Sequence, residues 1–474
     1  MSDEIGLFHR WVDDHRDEII EALQGVLRIP SKKEDAVGPN APYGKPIREA
    51  LDYTLSLSER LGFRVKDVDG HAGHAEFGEG PEMVAALGHL DVVPEGDRWQ
   101  HPPFGAQIDY GYIYSRGASD DKGPTYAALF GAKALMESGL PLKRRVRIIF
   151  GCDEESGFGC VHHYWETAKE ERPVLAFTPD CSFPMIYAEK GIANLHLEKR
   201  VERTEGGPRV ASMAGGRRPN MVPDFAEARI EGEPGALLNA VAALQKHWDR
   251  NVSFEADGTG IRVSAVGKSA HGANPTAGDN AAARLARALL DVDLPADREW
   301  LAWIPASVDP SGRGLGIAGE DEVAGPLTNN LGVMEMDGAT VKLTYNIRYP
   351  VTWKIDDLLG RLEPVIEKAG WTLADYHDSP SLHVPLDKEP ALTLLRVYQL
   401  ETGDTESKPW TMGGGTYARA TPNAVCFGAG FPNGSDGPAH EPDERISIDN
   451  LLRATKIYAH ALYELANKEL TRDA

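Results

Sequence analysis

Residues 83–93 read MVAALGHLDVV, an apolar run that ends in a histidine and an aspartate. A run of this length and texture is a buried strand. Its polar end puts His89 and Asp91 where the strand stops. The design returns twice downstream: RRVRIIFGCDEE (residues 144–155) ends in Glu154 and Glu155, and VLAFTPDCS (residues 174–182) ends around Asp180. Between the first two lies TYAALFGAKALMESG (residues 125–139), a helix stopped by Gly139. Strand, helix, strand with polar strand ends is the α/β pattern. In such sheets ligands gather beyond the carboxyl ends of the strands. His89, Asp91, Glu154, Glu155 and Asp180 are therefore expected to converge although they lie far apart in the chain.

Upstream, the spacing of Leu7, Trp11, Ile19, Leu23 and Leu27 predicts one amphipathic helix from Leu7 to Arg28, and a second runs from Pro46 to Leu61. From Lys190 the texture changes. GIANLHLEKRV, IRVSAVGKSAH and VKLTYNIRYPV alternate like half-exposed antiparallel strands, with helices at Gly235–Trp248, Asn280–Leu290 and Lys354–Ala369 between them. The earlier rhythm returns with PALTLLRVYQLETG, and the chain closes on the helix DNLLRATKIYAHALYELANK. The expected fold class is α/β. A catalytic domain with a central mixed sheet between helices, residues 1–190 and 385–474, is interrupted at residues 191–384 by an α+β lid of two lobes.

The 474 residues are too many for a single core, which agrees with two domains. The formal net charge of −22 argues against a nucleic-acid partner, since phosphate contacts need clustered Lys and Arg, and disfavours anionic membranes. No apolar stretch approaches the roughly 20 residues of a membrane span. The N-terminus mixes acids, bases and apolar residues, unlike a signal peptide, so the cytoplasm is the expected compartment. Four cysteines without a CxxC pair read as buried thiols.

Five segments pair a metal-binding side chain with glycine or proline turns: GHLDVVPEG, GASDDKGPT, GCDEESGFG, TPDCSF and GPAHEPDE. Together they offer two histidines and a surplus of carboxylates, the donor set for two adjacent divalent cations. Each piece also has a plain reading. A strand-end His-x-Asp is as often a hydrogen-bonded loop. Asp120 and Asp121, before Pro124, suit a helix cap as well as a bridging ligand. Glu154 and Glu155 would diverge if the strand continued, which suits one ligand and one proton acceptor, or a solvated acidic turn. Asp180 and His440 would complete two cages. His271, in GKSAHGANP, has no obvious structural duty: it would serve as an oxyanion stabiliser if the lid closes over the site, or simply face solvent. Gly413–Gly415 would offer backbone N–H groups to an anion, or form a flexible turn.

Seven segments resemble a known family: GHLDVVPEGDRWQHPPFGA, SDDKGPT, DEESGFGC, PDCSFPMIYAEKG, SAHGANPTAGDNAA, GGGTYAR and AHEPDERISIDNLL. In order and spacing they are similar to the di-zinc metallopeptidases that include carboxypeptidase G, aminoacylase and carnosinase, above all the bacterial dipeptidases of the PepV type. The resemblance implies His89, Asp120, Glu155, Asp180 and His440 as metal ligands, with Asp120 bridging. It implies that Asp91 orients His89, that Glu154 is the general base and that His271 polarises the carbonyl. Asn220 and Arg348 would hold the substrate carboxylate, and Gly415 and Thr416 would add contacts. Phe158 stands where the family often has tryptophan.

The expectation is thus a metal-dependent dipeptidase that cleaves unblocked dipeptides through a metal-bridged hydroxide. It would carry two divalent ions, Zn2+ first and Mn2+ second, and act as a monomer that closes its own site on a small peptide. The rival on the same metal chemistry is a deacylase of N-acetyl or N-succinyl amino acids. The rival of another class is a non-catalytic binding protein.

Overall fold

The apolar runs become the central strands of the first of two units. In a computed structural model that describes residues 3–202, 207–247, 251–432, 434 and 436–470, Met83–His89 is buried at every position. It pairs in parallel with Arg145–Gly151 on one side, His89 opposite Gly151, and with Leu175–Thr178 on the other. Arg64–Val68 and Ala72–Phe77 extend the sheet in antiparallel fashion beyond Arg145–Gly151. Ala424–Cys426, from the last part of the chain, lies parallel to Leu175–Thr178. The sheet is therefore mixed, and its four central strands all point their carboxyl ends the same way.

The unit comprises Met1–Tyr187, His383–Trp410 and Gly415–Ala474. Helices Lys122–Ser138 and Ile448–Asn467 pack on each other and on the sheet. Their backbones meet at Gly131, where a Cβ would stand 2.9 Å from both Ala459 N and Thr455 O. Only glycine permits that approach. The opening helix is not continuous: it is divided into Asp3–Asp14 and Arg16–Leu27 at His15. The Trp11 carbonyl accepts from the His15 N–H at 3.0 Å and from the His15 ring Nδ1 at 2.8 Å. The imidazole, stacked on Trp11, competes for the helix ladder there.

The second unit, Ala188–Leu382 with Thr411–Gly414, is built on one eight-stranded sheet. Gly191–Arg200 shows why: its first eight positions alternate between buried and half-buried, the period of a strand with one face on a core. The two strand groups join where Arg209–Gly215 pairs with Thr328–Asp337, Gly215 opposite Met334. Helices Pro234–Leu244, Ala281–Leu289, Arg298–Ser307 and Ile355–Lys368 contribute apolar residues to the same core. Arg298–Ser307 was not expected, because Pro305 interrupts the helical pattern; the proline sits in the last turn, where Trp300, Leu301 and Ile304 have already been buried. Trp248, the expected end of one helix, lies outside the described residues. Among the described residues no helix is long and apolar enough to cross a membrane.

Candidate metal centre

Each parallel strand delivers its polar residue at or just past its carboxyl end. His89 is the last residue of its strand and is fully buried. Glu154 and Glu155 occupy the turn after Arg145–Gly151, and Asp180 follows Leu175–Thr178 by two residues. Asp120 precedes helix Lys122–Ser138, and His440 sits in the loop before Arg445–Ser447. All seven chemically suggestive groups, Asp91 included, belong to the first unit.

Asp120 is the centre of the arrangement. Its Oδ1 lies 3.1 Å from His89 Nε2 and its Oδ2 lies 3.1 Å from His440 Nε2. His440 Nε2 also lies 3.2 Å from the Glu155 carboxylate. Two donor groups result, His89–Asp120–Asp180 and Asp120–Glu155–His440, with the donor atoms of each within 4.8 Å of one another. Asp120 belongs to both, one oxygen turned to each histidine.

The donor chemistry fits cations. His89 Nδ1 lies 2.9 Å from the Asp91 carbonyl oxygen, which can only accept, so Nδ1 carries a proton. The neutral ring then turns a lone pair at Nε2 toward a carboxylate oxygen, a contact that needs a positive charge. Without a cation, protons must supply it. Burial pushes His89 down, but Asp120 and Asp91 outweigh it and hold the imidazole well above its usual range. Hydrogen bonding to Asp120 and Glu155 pushes His440 up to about 10. Burial, followed by the neighbouring carboxylate Asp120, pushes Asp180 up. For Glu154, burial is again the largest cause of a strong rise; His89 opposes it, while Glu155, Asp120 and Asp91 reinforce it.

Asp91 lies in the loop just past the strand. The strand stops at His89, so the two residues do not share a strand face. Its backbone carbonyl holds the imidazole, while its carboxylate Oδ1 lies 3.5 Å from Nδ1. The carboxylate instead accepts from the backbone N–H groups of Glu154 and Glu155, both at 3.1 Å. One aspartate thereby ties the His89 loop to the turn that carries both glutamates. That turn is not strand, so the expected divergence of Glu154 and Glu155 by strand alternation does not apply.

Several supporting groups were missed. Glu444, fully buried, accepts from Ser119 N at 2.9 Å and Asp120 N at 3.1 Å, and pairs with the buried Arg116. Asp121 accepts from His89 N–H at 3.1 Å and from Thr125 Oγ1 at 2.9 Å. Lys122 is buried, donates to the carbonyls of Val26 and Ile29, and is pushed down to about 7 by that burial. In an acidic chain nothing local distinguishes Glu444 from a solvated acid; its only sequence signal is its place four residues after His440.

In the second unit, His271, Asn220 and Arg348 form a neighbourhood of their own. Gly272 N–H donates to the Asn220 carbonyl at 2.7 Å, and Met221 bridges to His271. Arg348 Nε donates to Asn346 Oδ1 at 2.9 Å, and its Nη1 donates to the Gly413 carbonyl at 2.9 Å. Burial and the nearby Arg348 charge push His271 down. The glycine run is divided between the units, Gly413 and Gly414 in the second and Gly415 in the first. Thr416 is buried and caps the short helix Tyr417–Ala420, its hydroxyl accepting from Ala418 N–H at 3.2 Å.

Residues 85–464 match the sequence profile of peptidase family M20/M25/M40. The chain belongs to this family. A Bacillus subtilis relative named "Putative dipeptidase YtjP" is 40% identical over 459 residues, 95% of this chain and 98% of its own. A Staphylococcus saprophyticus relative with the same kind of name is 35% identical over 469 residues, 97% of this chain and 99% of its own. Among solved structures, human carnosine dipeptidase 1 is similar in fold, with a TM-score of 0.57 at 16% identity, covering 98% of this chain and 99% of its own. The dipeptidase Dug1p of Saccharomyces cerevisiae gives 0.56 at 15% identity over the same shares. The chain is thus a metallopeptidase by family.

Proposed function

We propose that this peptidase hydrolyses unblocked dipeptides at a two-metal centre held by His89, Asp120, Glu155, Asp180 and His440. The observation that carries the reading is Asp120, which offers one carboxylate oxygen to each of two donor groups. The dipeptidase names of relatives that span nearly the whole chain supply the substrate class. Imidazole and carboxylate donors suit Zn2+, with Mn2+ as the second choice. Bound there, the ions would polarise the scissile carbonyl and acidify water.

The chain's own groups then divide the remaining work. Glu154 takes a proton from the attacking water and returns it to the leaving amine; its elevated proton affinity suits both halves of that task. Asp91 holds the Glu154 and Glu155 backbone and, through its carbonyl, fixes the tautomer of His89. In the second unit His271 stabilises developing negative charge on the carbonyl oxygen. Asn220 and Arg348 hold the substrate carboxylate, and Gly415 and Thr416 add contacts. The proposed enzyme acts as a monomer.

The test is hydrolysis by metal-reconstituted protein of free dipeptides, β-alanyl dipeptides among them, beside N-acetyl and N-succinyl amino acids. Turnover confined to free dipeptides is expected. Turnover of acylated amino acids alone would refute the substrate assignment and leave the metal centre standing.

A further inference from the structure

The loop that carries His440 is fastened to the loop that carries Asp120 by a charge pair that no water reaches. The Arg116 and Glu444 side chains are 1% and 0% exposed, with Nη1 and Oε2 2.6 Å apart. The two oxygens of Glu444 face different partners. Oε2 takes the guanidinium, while Oε1 accepts from Ser119 N–H (2.9 Å), Asp120 N–H (3.1 Å) and Ser119 Oγ (3.2 Å). The guanidinium continues outward, donating to the Glu441 carbonyl at 3.3 Å and the Glu95 carbonyl at 3.2 Å. Ser115 N–H donates to the Glu444 carbonyl at 3.0 Å. Two residues therefore join three loops, around Glu95, Asp120 and His440, across more than three hundred residues of sequence.

The two donor groups depend on this joint unequally. His89 and Asp180 come from the ends of adjacent sheet strands, and neither hydrogen-bonds to Arg116 or Glu444. His440 comes from the fastened loop, stands four residues before Glu444 and holds a left-handed φ of +65°. Its side chain is 53% exposed, so little packing holds it from outside. We propose that Arg116 and Glu444 are positioning residues for one metal position in particular, the one offered by Asp120, Glu155 and His440. They set the backbone of the shared Asp120 and keep His440 in reach of it. The inference rests on the two-metal reading above.

Competitive Zn2+ titration against a chromophoric chelator tests it on the full-length protein, with metal content and circular dichroism measured alongside. The wild type is expected to bind two ions. Glu444→Gln leaves one oxygen acceptor for two sets of donors. It is expected to keep one tight ion and weaken the other roughly 10–100-fold, the usual effect of losing a partner of a ligand. Glu444→Gln alone strands a buried guanidinium, which threatens folding, so the charge-neutral pair Arg116→Met with Glu444→Met, which leaves no acceptor for the Ser119 and Asp120 N–H groups, carries the decision. It conserves net charge while removing the fastening, and the same one-position weakening is expected. Arg116→Lys, which keeps the charge, is expected to retain more of the weak position than Arg116→Met. Unchanged affinities in the double variant would overturn the proposal, as would equal weakening of both positions. Fewer than two ions on the wild type would overturn the two-metal reading instead.

Discussion

Glu154 is the residue whose surroundings most constrain its role. Its backbone is pinned by Asp91, and burial followed by nearby acids makes its carboxylate hold protons unusually well. It belongs to neither donor group, which suits the proton transfer proposed for it. Glu154→Gln is expected to lower kcat by about 10²–10⁴-fold, the range for losing a general acid–base group, with metal content unchanged. A variant that keeps more than a tenth of wild-type turnover would remove Glu154 from that role. His440 yields a second expectation. With a pKa raised to about 10 it is protonated in the metal-free protein at neutral pH, and a cation must displace that proton. Affinity should therefore rise as pH rises, by up to about tenfold per unit for each proton released. Zn2+ affinity that is flat between pH 6 and pH 8 would contradict the protonation scheme.

Elements are where sequence and structure part company most instructively. The three strands that deliver His89, Glu154 and Asp180 were legible because parallel strands are buried on both faces and read as continuous apolar runs. The break at His15 was not, because it comes from one imidazole competing for one carbonyl while the apolar spacing runs on unbroken. The gathering of His89, Asp120, Glu155, Asp180 and His440 was legible from polar strand ends and turn chemistry. The hold of Asp91 on the glutamate turn, and the support from Glu444 and Arg116, were not, since they run through backbone N–H and carbonyl groups that carry no sequence signal. Equally hidden is the cluster that joins helices Asp3–Asp14, Ala391–Thr402 and Ile448–Asn467. Glu401, 4% exposed, lies 2.7 Å from His460 Nδ1 and 2.9 Å from His9 Nε2. Burial would raise Glu401, but His460 and His9 outweigh it and hold it down at about 2; burial likewise opposes the rise of His460 that Glu401 causes. The depressed carboxylate contributes stability above its ordinary 4.5 and loses it as pH falls toward 2. The raised imidazole contributes fully below its ordinary 6.5 and loses it as pH rises through its folded value. Glu401→Gln should thus cost most between pH 4.5 and 6.5, on the order of 1–3 kcal/mol. Urea unfolding at pH 3, 5.5 and 9 measures it; a difference that does not peak at the middle value would count against the cluster as a charged one.

At the scale of the whole molecule, the donors recruit five separate stretches between His89 and His440, yet every one lies in the first unit. The second unit interrupts that unit in sequence and contributes no member to either donor group. Metal binding must therefore stabilise the chain unevenly. A ligand that binds only the folded site adds stability according to its concentration relative to its dissociation constant, about 2.7 kcal/mol at a hundredfold excess. Here that gain goes to turns whose crowded acids otherwise rely on bound protons. Removing metal with a chelator should loosen the turns after Met83–His89 and Arg145–Gly151, the start of Lys122–Ser138, and the loop before Arg445–Ser447. The strands Gly260–Val266 and Thr340–Tyr349 of the second unit, whose core is their own, should keep their protection. Hydrogen exchange read peptide by peptide, with and without chelator, distinguishes these regions. Loss of protection confined to the first unit is the expected result. Uniform loss across both units would mean that the metal centre supports the whole chain, and no change anywhere would mean that the donor groups are held in place without cations.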